Sequence, residues 1–292
     1  MRSRGALLTF NNSKIIIIML RRPGWQLLLL FVVPLNLFGQ EKDSVETMNQ
    51  FINVCSSYKQ QLPLYLNLEY SSSSNIITAA EDSAFARGEF YLLADKAYVH
   101  FGDIEEIVND SMALIISGQI KRMRLYKNAQ PMIANLKASM GMEVPKSAME
   151  EWSKRFAVYK SGSGDKETIE LKGRSKVSGT DLSKEVITLL YNKSTKEPAE
   201  VITVKRSVLL IEQAAYDKYK GEPSLAANVI MINNDYYLIK EQKAVFSYKQ
   251  IDHRPSLTLP VSIVDRVEKS GQSGVNKYKT LKGFEEYVLT EE

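Results

Sequence analysis

The chain has 292 residues, of which 44% are hydrophobic and 25% are charged, so its composition is that of a soluble protein with one large domain or two small ones. Its net charge of +4 comes from the first 40 residues, which carry five basic residues and no acid, and the remainder has 33 basic against 34 acidic residues. We therefore expect no nucleic-acid partner, because neutralising phosphates requires a surplus of cations.

Residues 1–40 have the organisation of a secretory signal peptide. The sequence MLRRPGWQ is a cationic start, and LLLLFVVPLNLF is an apolar core ahead of a polar turn at Gly39. The apolar run is shorter than the roughly 20 residues of a membrane-spanning helix. Met19 is a candidate for the true start of translation. The alternative to a cleaved signal peptide is an uncleaved membrane anchor. We expect the mature chain, 41–292, to be a single periplasmic domain without an integral membrane segment.

Cysteine and histidine are scarce in this sequence. Cys55 is the only cysteine, so no internal disulfide can form, which fits an exported protein that is long enough to build its own core. It falls on the apolar face of a predicted helix, where a buried filler role is expected. Neither His100 nor His253 has a second His or Cys at metal-ligand spacing, so we expect no metal site and no cofactor.

Helical and alternating patterns follow one another along the chain. A helix is predicted at 44–60, because apolar residues recur at helical spacing: Val45, Met48, Phe51, Ile52, Cys55 and Tyr58. A strand is predicted to begin after Pro63 and to end in a loop at SSSSN, residues 71–75. From residue 87 to residue 127, short apolar segments separated by turn signatures predict an antiparallel meander.

Two further helices and a second run of strands are predicted after the meander. PMIANLKASMGMEVP places four apolar residues on one helical face: Met132, Ile133, Leu136 and Met140. KSAMEEWSKRFAV starts with a capping box. Hairpins are predicted in EVITLLYNKSTKEPAEVITVKR and in VEKSGQSGVNKYK. The segment LLIEQAAYDKYKGEPSLAANVIMIN fits a helix or a strand.

The sequence contains no recognisable catalytic motif. A G-x-S-x-G elbow and a Gly-rich phosphate loop are both missing. Adjacent carboxylates such as Glu105 and Glu106 point to opposite faces of a strand, so they are interpreted as solvated edges rather than as an acid–base pair. His100 is interpreted as a polar tip on a strand and His253 as a turn residue. We therefore expect that the protein is not an enzyme.

Three features suggest a binding role. The stretch ARGEFYLLADKAYVHF, 86–101, is apolar on both faces of its predicted hairpin. The basic segment KRMRLYK, 121–127, alternates Met123 and Leu125 with arginines, which predicts an exposed strand face, with a membrane-surface role as the alternative. The Met-rich helix at 131–142 is either an ordinary core helix or a movable lid over an apolar cavity.

These patterns resemble the LolA/LolB-like superfamily of periplasmic carriers of outer-membrane lipoproteins. Gly88, Phe90 and Leu92 match a G-x-[FL]-x-[LV] strand of that superfamily, and Phe101 fits the aromatic end of the next strand. The following hairpin motif would fall on Ile115, Ile116, Gly118, Leu125 and Tyr126. LTLPVSIVD and VNKYKTLKGFEEYVL look like the closing strands. The resemblance extends over residues 44–290.

The resemblance implies an α+β fold, in which a strongly curved antiparallel β-sheet forms an unclosed barrel and helices plug the open side. The space between sheet and helices would hold an acyl chain or another apolar ligand. Its wall would be formed by Phe90, Leu92, Phe101, Leu114, Ile116, Met123 and Leu125. Its lid would be formed by Met132, Ile133, Leu136 and Met140.

The predicted function is therefore non-enzymatic binding or carriage of a lipid, a lipoprotein acyl chain or another apolar ligand in the periplasm. The alternative is an envelope assembly or signalling component that uses the same fold as a scaffold for a protein partner. Its interface would be the exposed sheet edges and the KRMRLYK face.

Overall fold

Strands dominate this chain because segments with apolar residues at every second position need neighbouring strands to pair their backbone groups. The computed structural model describes residues 42–130, 132–133, 135–136, 146–270 and 277–292. The helices are α1 Lys42–Ser57, α2 Lys146–Arg155 and α3 Gln213–Gly221, and residues 130, 132–133 and 135–136 are also helical. None of the described helices has both the length and the apolar character needed to cross a membrane.

The strands fall into two runs on either side of α2. The first run is β1 Leu64–Ser74, β2 Ser83–Leu92, β3 Ala97–Phe101, β4 Ile104–Val108, β5 Ala113–Ser117 and β6 Arg122–Tyr126. The second run begins with β7 Phe156–Ser163, β8 Lys166–Gly173, β9 Glu185–Asn192 and β10 Pro198–Ile211. It ends with β11 Val229–Ile232, β12 Asp235–Asp252, β13 Val267–Lys269, β14 Tyr278–Thr280 and β15 Val288–Glu291.

One large sheet contains all of these strands except the β13–β14 hairpin. Its order is β15-β6-β5-β4-β3-β2-β1-β12-β10-β9-β8-β7, and β11 pairs with β12. Neighbouring strands are antiparallel apart from β15, which runs parallel to β6, so the sheet is mixed and not purely antiparallel as predicted. Among the described strands, β15 and β7 at the two ends are not paired with each other, so the sheet is not closed into a barrel.

The pairing register assigns every strand residue to one of two faces. Leu66 lies opposite Phe90, which lies opposite Val99, and we call the face of these residues face A. Tyr91 and Tyr98 lie opposite each other on the reverse side, which we call face B. Because side chains alternate along a strand, each neighbour of a face A residue points to face B.

Helix α1 packs on face A through its apolar stripe. The Tyr58 ring meets the Tyr248 ring edge-on, with centroids 5.6 Å apart, and Gln50 Nε2 donates a 2.8 Å hydrogen bond to the hydroxyl of Tyr191 in β9. Cys55 lies in the same stripe and is buried, which confirms the filler role, and burial raises the pKa of its thiol to about 12. The helical spacing in the sequence therefore predicted the helix and most of the face that it buries, but the helix ends at Ser57 rather than at residue 60, and Val45 of the predicted stripe is exposed.

Face B of β2 to β6 is covered by the segment that follows β12, in its described residues 257–270 and 277–287. The buried residues that meet there are Tyr98, Ile107, Leu114, Ile116, Met123 and Leu125 of the sheet with Ile263 and Val267 of the segment. Arg266 donates hydrogen bonds of 2.9 Å from both Nε and Nη2 to the Glu105 carboxylate and so attaches the segment to β4. The hairpin 86–101 is apolar on both faces because both faces are covered.

Several element predictions are corrected or confirmed by this topology. Residues 71–74 were predicted as a loop but are the end of β1, because they pair with both β2 and β12. LTLPVSIVD forms no strand, and it contains the 3₁₀ turn Ile263–Asp265 that packs on face B. The ambiguous segment divides into the end of β10, α3 and β11. Both predicted hairpins, β9–β10 and β13–β14, are confirmed.

An arm, residues 206–241, extends beyond the main part of the sheet. It consists of the ends of β10 and β12 with β11 and α3, and its strands continue past the last pairs with β9 and β1. Three large apolar side chains of the arm are exposed: Val208, Leu210 and Met231. Several apolar strand residues of the arm therefore lack a cover, as do Phe85 of β2 and Val288 of β15 elsewhere in the described sheet.

A buried ion pair attaches β12 to the turn between β1 and β2. Asp82 is fully buried and accepts hydrogen bonds of 2.6 Å from Lys240 Nζ and 2.8 Å from Gln242 Nε2. The backbone N–H groups of Thr78 and Ala79 donate to the same carboxylate at 2.6 and 2.9 Å. Burial alone would raise the pKa of Asp82, but these donors outweigh it and hold the pKa well below its usual range.

We expect Asp82→Asn to lower the free energy of unfolding by about 3 kcal/mol, because it leaves the largely buried Lys240 without its counter-charge. Glu69→Gln is the matched control, since Glu69 pairs with the more exposed Arg87 and Lys249 and its loss should cost less than about 1 kcal/mol. Urea unfolding at pH 7 measures both values. Equal losses in the two variants would contradict the structural role of Asp82.

Candidate functional site

The seven predicted wall residues lie on two different faces of the sheet. Three of them belong to face A: Phe90, Leu92 and Phe101. The other four belong to face B: Leu114, Ile116, Met123 and Leu125. The seven residues therefore do not form one wall. The physical reason is register, because the row that starts at Phe90 continues through Val99 and Glu106 to Ile115 and Arg124. Ile115 lies between Leu114 and Ile116 in the chain, and Arg124 lies between Met123 and Leu125, so these four neighbours point to the other face.

The face B residues are closed off from solvent. Leu114, Met123 and Leu125 have no exposed surface, and Ile116 is almost fully buried under residues 257–270 and 277–287. A tightly packed interior of this kind leaves no space for a ligand without displacing its cover. Face B is therefore a structural core, whereas face A has a different character.

Three of the four predicted lid residues lie on face A. Met132, Ile133 and Leu136 pack against the same apolar cluster as Phe90 and Phe101. Met140 lies outside the described residues. The structure thus brings the described lid residues together with the three face A wall residues, and the movement of this segment stays a prediction.

Burial changes from one side of face A to the other. Leu64 and Leu92 near the centre of the sheet are buried. The residues paired with Leu92 on the neighbouring strands, Ala97, Val108 and Ala113, are buried as well. On the side of this row towards the β3–β4 turn and at β6, several apolar side chains are only partly buried, and these are Phe90, Phe101, Ile104, Ile115 and Tyr126, together with Met132, Ile133 and Leu136. This side of face A is therefore an apolar surface that its described neighbours do not fully cover.

Gly88 shapes the aromatic part of this surface. It faces the side chains of Phe90 and Phe101, whose ring centroids are 6.3 Å apart. A Cβ atom at position 88 would lie 2.6 Å from Phe101 Cδ2 and 2.7 Å from Phe90 Cε2. Only glycine therefore lets both rings lie over β2, which gives a physical reason for the Gly-x-Phe pattern noted in the sequence.

The sequence did not reveal that a carboxylate, that of Glu106, lies on face A. Glu106 faces this apolar side and is half-buried, and burial raises the pKa of its carboxyl to about 7. Its neighbour Glu105 points to face B and bonds to Arg266. The interpretation of both carboxylates as solvated edges was therefore wrong. Strand alternation already implied that one of the two points inward, but it could not say that the other face is covered as well.

The basic segment KRMRLYK is part of the sheet rather than a free edge. Met123 and Leu125 are buried and the arginines alternate with them, as predicted, but β15 covers the outer side of β6. Three of its cations pair with acidic residues of the C-terminal segment: Lys121 with Glu286 at 2.9 Å, Arg124 with Glu292 at 3.9 Å and Lys127 with Glu291 at 3.2 Å. These pairs weaken the case for a membrane-surface role.

Neither histidine lies in a metal-binding cluster. His100 is exposed on β3, and the Nδ1 atom of His253 lies 3.1 Å from the backbone oxygen of Pro63. In the part of the chain that the structure describes, no group of three or more His, Cys, Asp or Glu side chains could hold a metal ion.

A surface groove of about 450 Å³ lies apart from the predicted site. It is lined by Leu93, Lys96, residues 257–262 and Asp265. No predicted wall or lid residue lines the groove. Most of its lining residues belong to the segment that covers face B. The groove is therefore a consequence of how that segment crosses the β2–β3 turn.

No protein-family model and no curated protein matches this chain. Among solved structures, the chain is similar to the LolA superfamily protein NE2245 from Nitrosomonas europaea, with 8% sequence identity and a TM-score of 0.21. The match covers 74% of this chain and 94% of that chain. Its superfamily is the one that the sequence patterns resemble. At this TM-score, nothing about the ligand or partner of this chain follows from the match.

We expect Gly88→Ala to lower the free energy of unfolding by about 1–3 kcal/mol, because the added methyl group displaces one or both phenylalanine rings. Gly221→Ala is the matched control, since a Cβ atom at the end of α3 meets nothing within 4 Å. It should be neutral or slightly stabilising. Urea unfolding compares the two, and a neutral Gly88→Ala would contradict the close approach of the rings.

We expect Glu106→Gln to change the pH dependence of stability. With its pKa raised from 4.5 to about 7, Glu106 binds a proton more tightly in the folded chain, so its contribution is complete below about pH 4.5 and is lost as the pH rises through 7. Between pH 5 and pH 8 the wild type should lose on the order of 1–3 kcal/mol relative to the variant. Denaturant unfolding across this range measures the difference.

The exposed carboxylate of Glu46 on α1 provides the control for this experiment. Glu46→Gln should keep the wild-type pH dependence between pH 5 and pH 8. If Glu106→Gln also keeps it, Glu106 does not carry a raised pKa in the folded protein.

Proposed function

We propose that this protein is a non-enzymatic binding or carrier protein that holds an apolar ligand against face A. The ligand, a lipid, a lipoprotein acyl chain or a similar group, lies between the sheet and the segment that contains Met132, Ile133 and Leu136. The protein acts in the periplasm after export by its N-terminal signal peptide and requires no cofactor.

One observation carries the proposal. Face A side chains towards the β3–β4 turn, such as Phe90, Phe101 and Ile115, are only partly buried. Met132, Ile133 and Leu136 pack against the same cluster as Phe90 and Phe101 without covering them fully. Apolar side chains that stay partly exposed beneath a short cover gain free energy from any apolar group that excludes water from them. On the opposite face of β4 to β6, the apolar side chains Ile107, Leu114, Met123 and Leu125 have almost no exposed surface.

The energetics require no catalytic group. Burying an acyl chain contributes about 0.8 kcal/mol per methylene group, so a chain of moderate length supplies enough binding free energy without any polar contact. Methionine suits such a surface because its unbranched side chain adapts to ligands of different shape. Met132 lies at the cover of face A, where this property would be used.

The proposal includes strong curvature of the sheet. A curved, unclosed sheet with face A on its concave side gives the ligand walls on more than one side, and α1 and the 132–136 segment then plug the opening. The unpaired sheet ends at β15 and β7, and the packing of α1 on face A, support this arrangement.

A second candidate function is binding of an envelope protein through the arm. Leu210 on β10 and Met231 on the short strand β11 are 70% and 59% exposed, and these two strands lie on either side of β12 in the arm. Exposed apolar residues next to an unpaired strand edge are typical of protein-interaction surfaces. In this case the protein partner would be lost on Leu210→Asp and kept on Leu136→Asp.

We expect the purified protein to bind the neutral fluorescent probe N-phenyl-1-naphthylamine and Leu136→Asp to weaken binding about tenfold or more, because a carboxylate beside the site makes burial of the probe costly. Leu210→Asp is the matched control and should leave probe affinity unchanged, since Leu210 lies on the arm. A fluorescence titration gives the affinities, and mass spectrometry of an organic extract identifies any co-purified lipid.

Two results would contradict the proposed function. The wild type could show no saturable binding of the probe, or Leu136→Asp could bind it as tightly as the wild type does. In either case face A is an ordinary core, and the arm becomes the better candidate for a functional surface.

A further inference from the structure

Polar side chains cross the partly exposed side of face A on neighbouring strands. Glu106 of β4 and Arg124 of β6 lie on either side of Ile115 in the pairing register. Tyr126 lies two residues after Arg124 on the same face and packs against the apolar cluster that includes Met132. Glu106, Arg124 and Tyr126 are all only partly buried. These three residues, the polar row, therefore border the surface that is proposed to hold the ligand.

The polar row presents hydrogen-bond donors that the described chain leaves largely unused. Arg124 and Tyr126 lie two residues apart on the same face of β6, where the guanidinium and the Tyr126 O–H can both donate to one acceptor. The ion pair of Arg124 with Glu292 is loose, with 3.9 Å between Nη1 and Oε1. Because arginine has five N–H donors in a planar fork, most of them are left for another acceptor.

We propose that the ligand of face A carries an anionic oxygen group, a carboxylate or a phosphate, at the end of its apolar chain, bound by Arg124 and Tyr126. The proposal rests on the proposed function, because it names the head group of the ligand held there. Donors grouped at one side of an apolar surface position such a molecule with its chain on Phe90 and Phe101 and its head group at β6. Charge-assisted hydrogen bonds of this type are stronger than neutral ones.

Glu106 makes this binding sensitive to pH. The other titratable or charged groups facing this side of the described sheet are Arg122, Arg124 and Tyr126 on β6, Glu292 after β15, and Asp103, which accepts a hydrogen bond from Ser117. The face A residues of β3 and β5 and the described cover residues carry no charge. Glu106 is neutral below about pH 7 and adds a negative charge beside the head group above it, so affinity falls as the pH rises.

The test compares ligands that share one apolar chain and differ in the head group. Isothermal titration calorimetry on the purified protein at pH 6, below the micelle concentrations, would use dodecanoate, dodecyl phosphate, neutral methyl dodecanoate and cationic dodecyltrimethylammonium. We expect at least one of the two anions to bind about tenfold or more tightly than the methyl ester. The tighter anion distinguishes a fatty-acid carboxylate from a lipid phosphate.

Variants assign the head-group preference to the polar row. Arg124→Gln should remove the preference for the anion, whereas Arg174→Gln, at an exposed position after β8, should keep it. For dodecanoate, the wild-type affinity should fall about threefold or more from pH 6 to pH 8, and Glu106→Gln should abolish this fall.

The outcomes separate this proposal from the function on which it rests. If methyl dodecanoate and the cationic ligand bind as tightly as the anions, the head-group proposal is wrong and apolar binding at face A stands. If Arg124→Gln weakens the methyl ester and the anions equally, Arg124 supports the fold and does not recognise the head group. If none of the four ligands binds, both proposals fail.

Discussion

Strands β2 to β6 carry large apolar side chains on both faces, and the rest of the structure depends on covering both of them. Face B is covered by residues 257–270 and 277–287, and two hydrogen bonds from Arg266 to Glu105 hold this cover against β4. Face A is covered by α1 near the centre of the sheet and by the segment around Met132 towards β6. A two-sided apolar sheet is stable in water only with such layers on each side.

The two covers differ in completeness, and this difference gives the molecule its proposed function. Under the C-terminal segment, side chains such as Leu114 and Met123 are fully buried, so that side provides rigidity. On face A, Phe90 and Phe101 stay partly exposed, and the glycine at position 88 leaves room for their rings. The packed face B holds the strands in place, so that the proposed ligand on face A would meet a surface that is already formed.

Local patterns in the sequence predicted much of the fold and less of the site. Periodicity identified α1 with its buried Cys55, the meander, two hairpins and the alternation of Met123 and Leu125 with arginines, because these depend only on neighbours along the chain. The sequence could not assign faces, because shifting a strand pair by one residue exchanges the two faces. Leu114 was therefore placed on the same wall as Phe90. Glu106 was interpreted as a solvated edge because alternation implies that one of Glu105 and Glu106 points inward but does not say that both faces are covered.

The central claim is that an apolar ligand binds at face A and leaves face B undisturbed. The methyl groups of Met132 on face A and Met123 on face B report on the two sides separately, and ¹³C-methyl labelling makes both visible by NMR. Titration with N-phenyl-1-naphthylamine should shift the Met132 methyl resonance in proportion to saturation and leave that of Met123 unchanged. A shift of the Met123 resonance with none at Met132 would contradict the account.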